Sequence, residues 1–542
     1  LYADEAQYWR WSRTLDWGYY SKPPLIAWVI RATTELFGNA VWAIRLPAPF
    51  LHTVAAAAVF FLGRAVYGSR VGLYAALTYA LMPGVILSSM LLSTDGVLLP
   101  VFAVALYLYW RARQGVSGWI GHVALGLAIG IAMLAKYAAL YLLIGIGLTA
   151  LIDPPSRRAI LSLKGAATFA VAALILAPHL AWNAANSFDT VSHTVDNANL
   201  GGPLFNLENL PKFLVDQMGI FGPVGFLALL IGLVAFRHRE PAGHRAADRW
   251  LLCFILPVLV IIGVQAVLSR AHANWAATAY PAASVLVAGW LIEARPNRAL
   301  WLAIAAVTLL AVQLVPDLAV GFKIGLGFGI AAMLLAIGAW QRFQLSGLLI
   351  AAFILHGVLG LGGGALVASP PGVTAALGLD NALKRARGWE QTARALVRES
   401  ERHAATALLV DEREIWHGID YYARDTLQVP LISWRRNPGV KSFAERQPLS
   451  NDIDDRVLVA SDRPGFRPRI RADFAQFEHV GTLIVPLGAR ANGCPIERRL
   501  ELYLGSGYEP IPRDAAWEAQ FEGVSERAPD PCPPLPEAAA GP

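Results

Sequence analysis

Charge is scarce in this chain. Only 15% of its 542 residues are Asp, Glu, Lys or Arg, against about 25% in an average soluble domain. Hydrophobic residues make up 56%, and mean hydropathy is +0.46. A disordered chain or an ordinary soluble enzyme is excluded. Cysteine is scarcer still. Cys253, Cys494 and Cys532 are the only three, and no CxxC occurs, so a disulfide scaffold, a zinc ribbon and a dithiol redox motif are out. Cys253 sits in an apolar run and reads as a small core residue, whereas a bond between Cys494 and Cys532 is left open. Neither a Walker-type phosphate loop nor a dinucleotide fingerprint is present. Without a nucleotide site, a donated group must come from the membrane itself. Acids are outnumbered, 39 to 45, which in such a chain reads as loop charge bias and not as nucleic-acid binding.

What is abundant is apolar sequence of membrane-spanning length. Spans are expected near 43–63, 72–91, 96–110, 160–181, 217–236, 250–268, 274–292, 299–315, 322–340 and 346–367. The stretch 119–152 is apolar apart from Lys136, and reads as two short helices, 119–134 and 137–152, meeting at that lysine. The total is twelve. Gly126/Gly130 and Gly325/Gly329 are expected packing positions. Alternate loops carry fourteen Lys and Arg, from Arg64/Arg70 through Arg157/Arg158/Lys164 to Arg342. The opposite loops of the bundle beyond residue 46 carry only Lys136, Lys212, Arg270 and Lys323. The first set is cytoplasmic by the positive-inside rule. Residues 1–42, Asp95, 183–212, 269–273 and everything after 368 then fall on the outer, periplasmic side. The first residue is Leu, and this orientation implies a thirteenth span before it.

The expected architecture is a polytopic α-helical bundle over 1–369 with outer loops 1–42 and 183–212, followed by a soluble α/β domain over 370–542. Tyr2, Tyr8, Trp9, Trp11, Trp17, Tyr19 and Tyr20 suit a membrane–water interface, and Leu25–Leu36 reads as a helix lying in it. In the C-terminal part, a helix at 383–402 and short strands at 407–410, 457–460 and 483–485 precede a Pro-rich tail after 528.

Charges within or beside spans are costly, and mark candidate sites. Asp4 and Glu5 lie in an aromatic segment read as an outer loop. Tyr20-Ser-Lys22-Pro-Pro24 joins an ammonium to a helix start, a candidate phosphate cradle. Its bland alternative is a snorkelling interfacial lysine. Asp95 is the sole charge between residues 71 and 110, and could equally be a helix cap. Lys136, where two half-helices meet, needs a carboxylate or anion. Arg270, His272 and Asn274 occupy a short outer turn, His272 reading equally as a hydrogen-bonded turn histidine. The loop 183–212 adds His193, Asn197 and Asn199, with a candidate hinge at Gly201-Gly202.

With Asp4-Glu5, Lys22-Pro-Pro24, Arg45-Leu-Pro47 and Ser93-Thr-Asp95 in view, the chain resembles the GT-C superfamily of membrane glycosyltransferases. More narrowly, it is similar to protein O-mannosyltransferases and lipid A aminoarabinose transferases. The resemblance is most specific over residues 2–110. It implies an inverting transfer of a sugar from a polyprenyl phosphate to a hydroxyl of an envelope glycolipid, glycan or protein, on the periplasmic side of the bacterial inner membrane. It implies Asp4 as general base and Lys22 on the departing phosphate, with Lys136 and Arg270 assisting and Asp95 as the second acidic position. Glu5 joins the catalytic group. Tyr20, His193, Asn197, His272 and Asn274 are expected substrate contacts. In the aminoarabinose transferases an acid precedes the motif lysine and can help hold a metal. Here Ser21 stands there, and a divalent metal, with Glu5, Asp95 or His272 as ligands, is left open. The rivals are a lipid-linked-sugar transporter or flippase, a protein O-mannosyltransferase, and an envelope scaffold. The chain shows no internal repeat of the transporter kind.

Overall fold

The computed structural model describes all residues except 199–203, 236–241, 316–317, 370, 438–439, 441, 447–448, 450–455, 491 and 520–542. Asn199, Gly201-Gly202, Arg237, Arg239, Cys532 and the Pro-rich tail lie outside the described residues. The chain divides into two compact units, Ser12–Pro316 with Val320–Ala368, and Leu1–Trp11 with Asp317–Ala319 and Ser369–Pro542.

The first unit is helical throughout. Among the described residues, seven of its helices are long and apolar enough to cross a membrane. They are Val41–Tyr67, Thr94–Arg113, Leu163–Ala185, His244–Leu268, Ala273–Glu293, Val320–Trp340 and Ser346–Leu366. Two further pairs qualify together but are bent, Ser69–Leu81 with Pro83–Met90 by 57° and Asn209–Phe221 with Pro223–Ala235 by 117°. Trp119–Ala135, Tyr137–Ile152 and Arg298–Gln313 are shorter apolar helices. Each expected segment is thus helical, and the chain is a multi-pass membrane protein. Two expectations need correction. The segment 217–236 is not a straight span, because Gly222 at φ +88° followed by Pro223 turns the chain there. The adjacent helix ends where His356 packs so close that a Cβ on Gly222 would lie 2.1 Å from its ring. Of the two glycine pairs, only Gly126/Gly130 makes a close approach, to Thr168, Ala172 and Ile175 of the next helix. Gly325 and Gly329 face open space, where lipid fits.

The second unit is built on a five-stranded sheet in the order β2-β1-β3-β5-β4. β1 (Ala407–Val410), β2 (Leu431–Ser433) and β3 (Val457–Ser461) are parallel, and β5 (Pro495–Tyr508) joins β3 and β4 (Phe474–Ala489) antiparallel. β1 and β3 are buried along their whole length, as expected of central parallel strands covered on both faces. The strand read at 483–485 is the middle of the long hairpin arm β4. The helix expected from 383 starts at Trp389, because Gly388 is left-handed at φ +75° and its missing side chain leaves room for Leu487. Trp389, Ala393, Leu396 and Val397 then form one buried stripe over the sheet.

A third correction concerns the first residues. Ala3–Arg13 is a helix and not a loop. Its residues 1–11 belong to this second unit, where Ala3 packs in the cluster of Trp389 and Trp416. Trp9 meets Tyr421 edge-on at 5.0 Å, and Arg10 pairs with Asp420 at 3.5 Å. The aromatics that suggested a bilayer surface, Tyr8, Trp9 and Trp11, are buried in protein.

Two carboxyls of this unit are held away from water. Asp411, at the end of β1, accepts hydrogen bonds from Ser461 Oγ (2.6 Å) and from the amides of Asp462 and Arg463. Burial nonetheless pushes it up to about 6. Burial does the same to Asp420, also to about 6, against the pull of Arg10. Both hold a proton more tightly folded than unfolded. Their contribution to stability is therefore complete in acid and is lost as pH rises through 6. Thermal unfolding of this unit should weaken between pH 5 and pH 7, by roughly 1–3 kcal/mol per group. Asp420→Asn should flatten that dependence, and a melting curve of the full chain at each pH checks it.

Candidate functional site

The polar interior of the membrane unit begins with Lys136. Helix Trp119–Ala135 stops there, Lys136 is extended (φ −167°, ψ 142°), and a single 3-10 turn, Tyr137–Ala139, leads into Leu140–Ile152. An ammonium at a break in an apolar hairpin needs a counter-charge. Asp95 supplies it, with Lys136 Nζ donating to Oδ1 at 2.8 Å and Oδ2 at 2.9 Å. Asn274 Nδ2 donates to Asp95 Oδ2 at 2.6 Å. The helix Thr94–Arg113 does not use Asp95 as its cap. Ser93 Oγ accepts from the Gly96 amide at 3.1 Å instead, leaving the carboxylate for Lys136.

Lys22 reaches the same place by another route. The loop before it is a tight bridge in which the Tyr19 amide donates to the Lys22 carbonyl at 3.1 Å. Thr190 Oγ1 donates to the Tyr19 carbonyl at 2.6 Å, and His179 Nδ1 lies 2.6 Å from the Trp17 carbonyl. Gly18 lets the Trp182 ring lie against the backbone, since a Cβ there would sit 2.3 Å from it. The helices Leu163–Ala185 and Asp189–Asn197 thereby fix the loop, and Leu25–Phe37 follows Pro23-Pro24.

Lys22 and Lys136 line one cavity of about 410 Å³. Leu140, Tyr141, Ile144, Ile261 and Ile262 make its apolar side, while Ser21, Thr194, Asn197 and Gln265 add neutral polar groups. Two ammonium groups at the head of an apolar trough suit an amphiphile with an anionic head.

The remaining expected residues divide. Asn197 is in the wall, and its Nδ2 lies 3.1 Å from His193 Nε2. Tyr20 stacks obliquely on His193 at 5.3 Å. Asn274 acts on Asp95. Arg270 and His272 are exposed on the adjoining turn and are not among the lining residues, although His272 touches Trp275, which is. Asp4 and Glu5 belong to the other unit, where Glu5 is buried and accepts from the Tyr2 amide at 2.8 Å. Sequence reasoning missed Tyr137, His179 and Asn183. Tyr137 Oη lies 2.8 Å from His179 Nε2, and Asn183 Nδ2 lies 3.1 Å from the same nitrogen. A histidine inside an apolar run was the available signal.

A metal does not fit the residues here. Among the described residues no group of three or more His, Cys, Asp and Glu could hold one. Both oxygens of Asp95 are already engaged, and Ser21 stands beside Lys22. No step is derived through a metal.

Breaking the ion pair on one side should be costly. Asp95→Leu leaves Lys136 charged against apolar neighbours, and should lower stability by about 3–5 kcal/mol. Adding Lys136→Met should recover most of that loss. Thermal unfolding of both variants in detergent, read by size-exclusion chromatography, checks it.

Residues 21–182 match the family of dolichyl-phosphate-mannose-protein mannosyltransferases. The chain is 41% identical over 295 residues to lipid A galacturonosyltransferase RgtD of Rhizobium johnstonii, a match covering 54% of this chain and 60% of that protein. It is 27% identical over 255 residues to the lipopolysaccharide core galacturonosyltransferase RgtA of the same organism, covering 46% of this chain and 50% of the relative. Hence the matches span little more than half the length of these curated relatives. The crystal structure of ArnT from Cupriavidus metallidurans bound to undecaprenyl phosphate shares the fold, with TM-score 0.58 and 15% identity over 92% of this chain and 93% of that one. The apo ArnT structure gives TM-score 0.57 at 16% identity, over the same shares of both chains. The chain thus matches a mannosyltransferase family over residues 21–182, is similar to two galacturonosyltransferases over about half its length, and shares the fold of ArnT.

Proposed function

We propose that this chain transfers a sugar, of the uronic-acid class, from a polyprenyl-phosphate donor to a hydroxyl of an envelope glycolipid on the periplasmic side of the inner membrane. The observation that carries the reading is the cavity in which Lys22 and Lys136 meet an apolar trough. The trough suits a prenyl chain and the ammonium pair its phosphate. The two curated relatives, named for galacturonosyl transfer to lipid A and to the lipopolysaccharide core, support the sugar and acceptor class.

The acceptor oxygen attacks the anomeric carbon, and the bond from that carbon to the phosphate oxygen breaks with inversion. The bonding pair leaves on the phosphate, and the acceptor proton passes to a carboxylate. Lys22 lowers the energy of the charge that grows on the leaving phosphate, an interaction stronger in the transition state than before it. Lys136 adds to this field, held in place by Asp95. With both oxygens occupied, Asp95 is a positioning residue in this reading. Asp4 is the base that the family resemblance proposes, with Glu5 its neighbour on the same helix; both belong to the other unit. Arg270 is the proposed second contact for a donor headgroup entering the cavity. Tyr20, His193 and Asn197 are the proposed contacts to the sugar, and His272 and Asn274 flank the Trp275 wall.

Purified full chain with a lipid-linked uronic acid and lipid A in detergent tests the reading. Product should form without two compartments, which a transporter cannot do. Lys22→Ala should lower turnover by at least about 100-fold, as expected for one lost transition-state contact. Asp4→Asn should cost about 10²–10⁴-fold in kcat with little change in KM. Undiminished turnover in Lys22→Ala would reject the assignment of the cavity.

A further inference from the structure

A second cavity, of about 510 Å³, lies at the other end of the helices that carry Asp95 and Lys136. Thr94–Arg113 runs from Asp95 to Arg113, a rise of about 30 Å at 1.5 Å per residue. Trp119–Ala135 runs back to Lys136. Arg113 and Trp119 both line this cavity.

Its charge is one-sided. From Gly96 to Phe188 the chain has a single acid, Asp153, and five of its basic residues, Arg111, Arg113, Arg157, Arg158 and Lys164, lie at this end. Asp153 is consumed locally. It takes a two-pronged pair from Arg113, at 2.8 Å from both Nε and Nη2, and accepts from Ser156 N and Oγ at 3.0 and 2.6 Å. Arg113 in turn lies 4.5 Å over the Trp110 ring. Arg158 and Lys164 line the cavity, and neither has a carboxylate within ion-pair reach among the described residues. Arg158 reaches only the Pro154 carbonyl, at 3.5 Å.

A buried histidine forms part of the wall as well. His122 is 3% exposed and lines the cavity. Its Nδ1 lies 3.1 Å from Thr168 Oγ1, and its Nε2 has no hydrogen-bond partner among the described residues. The first turns of Trp119–Ala135 and Leu163–Ala185 border the space through Ser117, Trp119, Ser162 and Lys164, so two positive helix ends meet there. Trp119 and Leu163 in its wall are exposed, at 51% and 76%, as is Ile120 beside Trp119, at 87%.

We propose that this cavity binds the phosphate headgroup of an acidic glycerophospholipid, at the cytoplasmic face if the charge bias sets the orientation. The cations and His122 Nε2 address a phosphodiester, and the exposed apolar side chains take the upper acyl chains. Basic pockets between helices at span ends bind such headgroups, and an exposed Trp at a span end suits that depth. The site is independent of the sugar-transfer reading, and uses none of its residues.

Native mass spectrometry of the full chain in detergent tests it, with phosphatidylglycerol and phosphatidylcholine of the same acyl chains as probes. Wild type should retain one phosphatidylglycerol at concentrations where phosphatidylcholine is lost. Arg158→Gln with Lys164→Gln should weaken that binding at least tenfold, whereas Arg158→Lys with Lys164→Arg keeps it. Arg64→Gln with Arg70→Gln removes equal charge from a neighbouring loop, and should leave it within twofold. An equal effect of both neutralising pairs, or none from the first, would overturn the site. Displacement of the lipid by millimolar inorganic phosphate would also overturn it, in favour of a free-anion site.

Discussion

One ion pair organises the membrane unit. Lys136 and Asp95 are 41 residues apart, and meet at 2.8 Å inside a largely apolar bundle. Taking two charges out of water is expensive, and their mutual attraction in a low-dielectric interior seldom repays it with a surplus. Two well-packed apolar residues would hold these helices together at least as well. What the pair provides is position. A helix must end where its lysine turns out of the ladder, and Lys136 is extended for that reason. Asp95 must be spared from capping its own helix, and Ser93 takes that task. Asn274 donates a further hydrogen bond to Asp95 Oδ2 from a third segment. Three stretches of chain are thus tied to one point, and that point is the wall of the cavity Lys22 enters.

The same logic explains which parts were legible in the sequence. A long apolar run has one physical reading, so each of the expected segments is helical. The break at Lys136 was equally readable, because a lone ammonium in a 30-residue apolar stretch cannot stay within an uninterrupted helix facing lipid. The cost of each charge is local and shows in composition. Its partner is not local. Nothing in the run around Lys136 distinguishes Asp95 from an acid in a loop, and the pairing follows only once Thr94–Arg113 and Trp119–Ala135 are antiparallel neighbours.

Where the reading failed, one residue type had two homes. Tyr8, Trp9 and Trp11 are amphipathic rings that suit a bilayer surface and a protein core alike. Packing against Tyr421 and the sheet of the second unit decided between them. Similarly, Gly-xxx-Gly marks a close helix approach only if a neighbour arrives. Gly126 and Gly130 have one, whereas Gly325 and Gly329 do not. The long hairpin β4–β5 was reduced to a three-residue strand because its exposed face carries Gln476, Glu478 and Thr482, which break the apolar pattern. Helix bends followed the same rule, since the segment around Gly222-Pro223 reads as one span until the 117° turn is seen.

The two ends of Thr94–Arg113 show how few acids such a bundle needs. Between Asp95 and Asp189 only Asp153 intervenes. Asp95 fixes one end through Lys136, and Asp153 fixes the other through Arg113. Between these pins Thr94–Arg113 is apolar, so sliding it by a turn against Trp119–Ala135 and Leu140–Ile152 together would separate both pairs at once. Each separation would strand two charges away from water. The position of Thr94–Arg113 is therefore set at both its ends, about 30 Å apart. Thermal motion that loosened one end would still leave the other to restore it. In the proposed reading, a cavity that holds a charged headgroup at a fixed depth gains from that redundancy, because a shift of even an ångström in Lys136 would change the field at the phosphate.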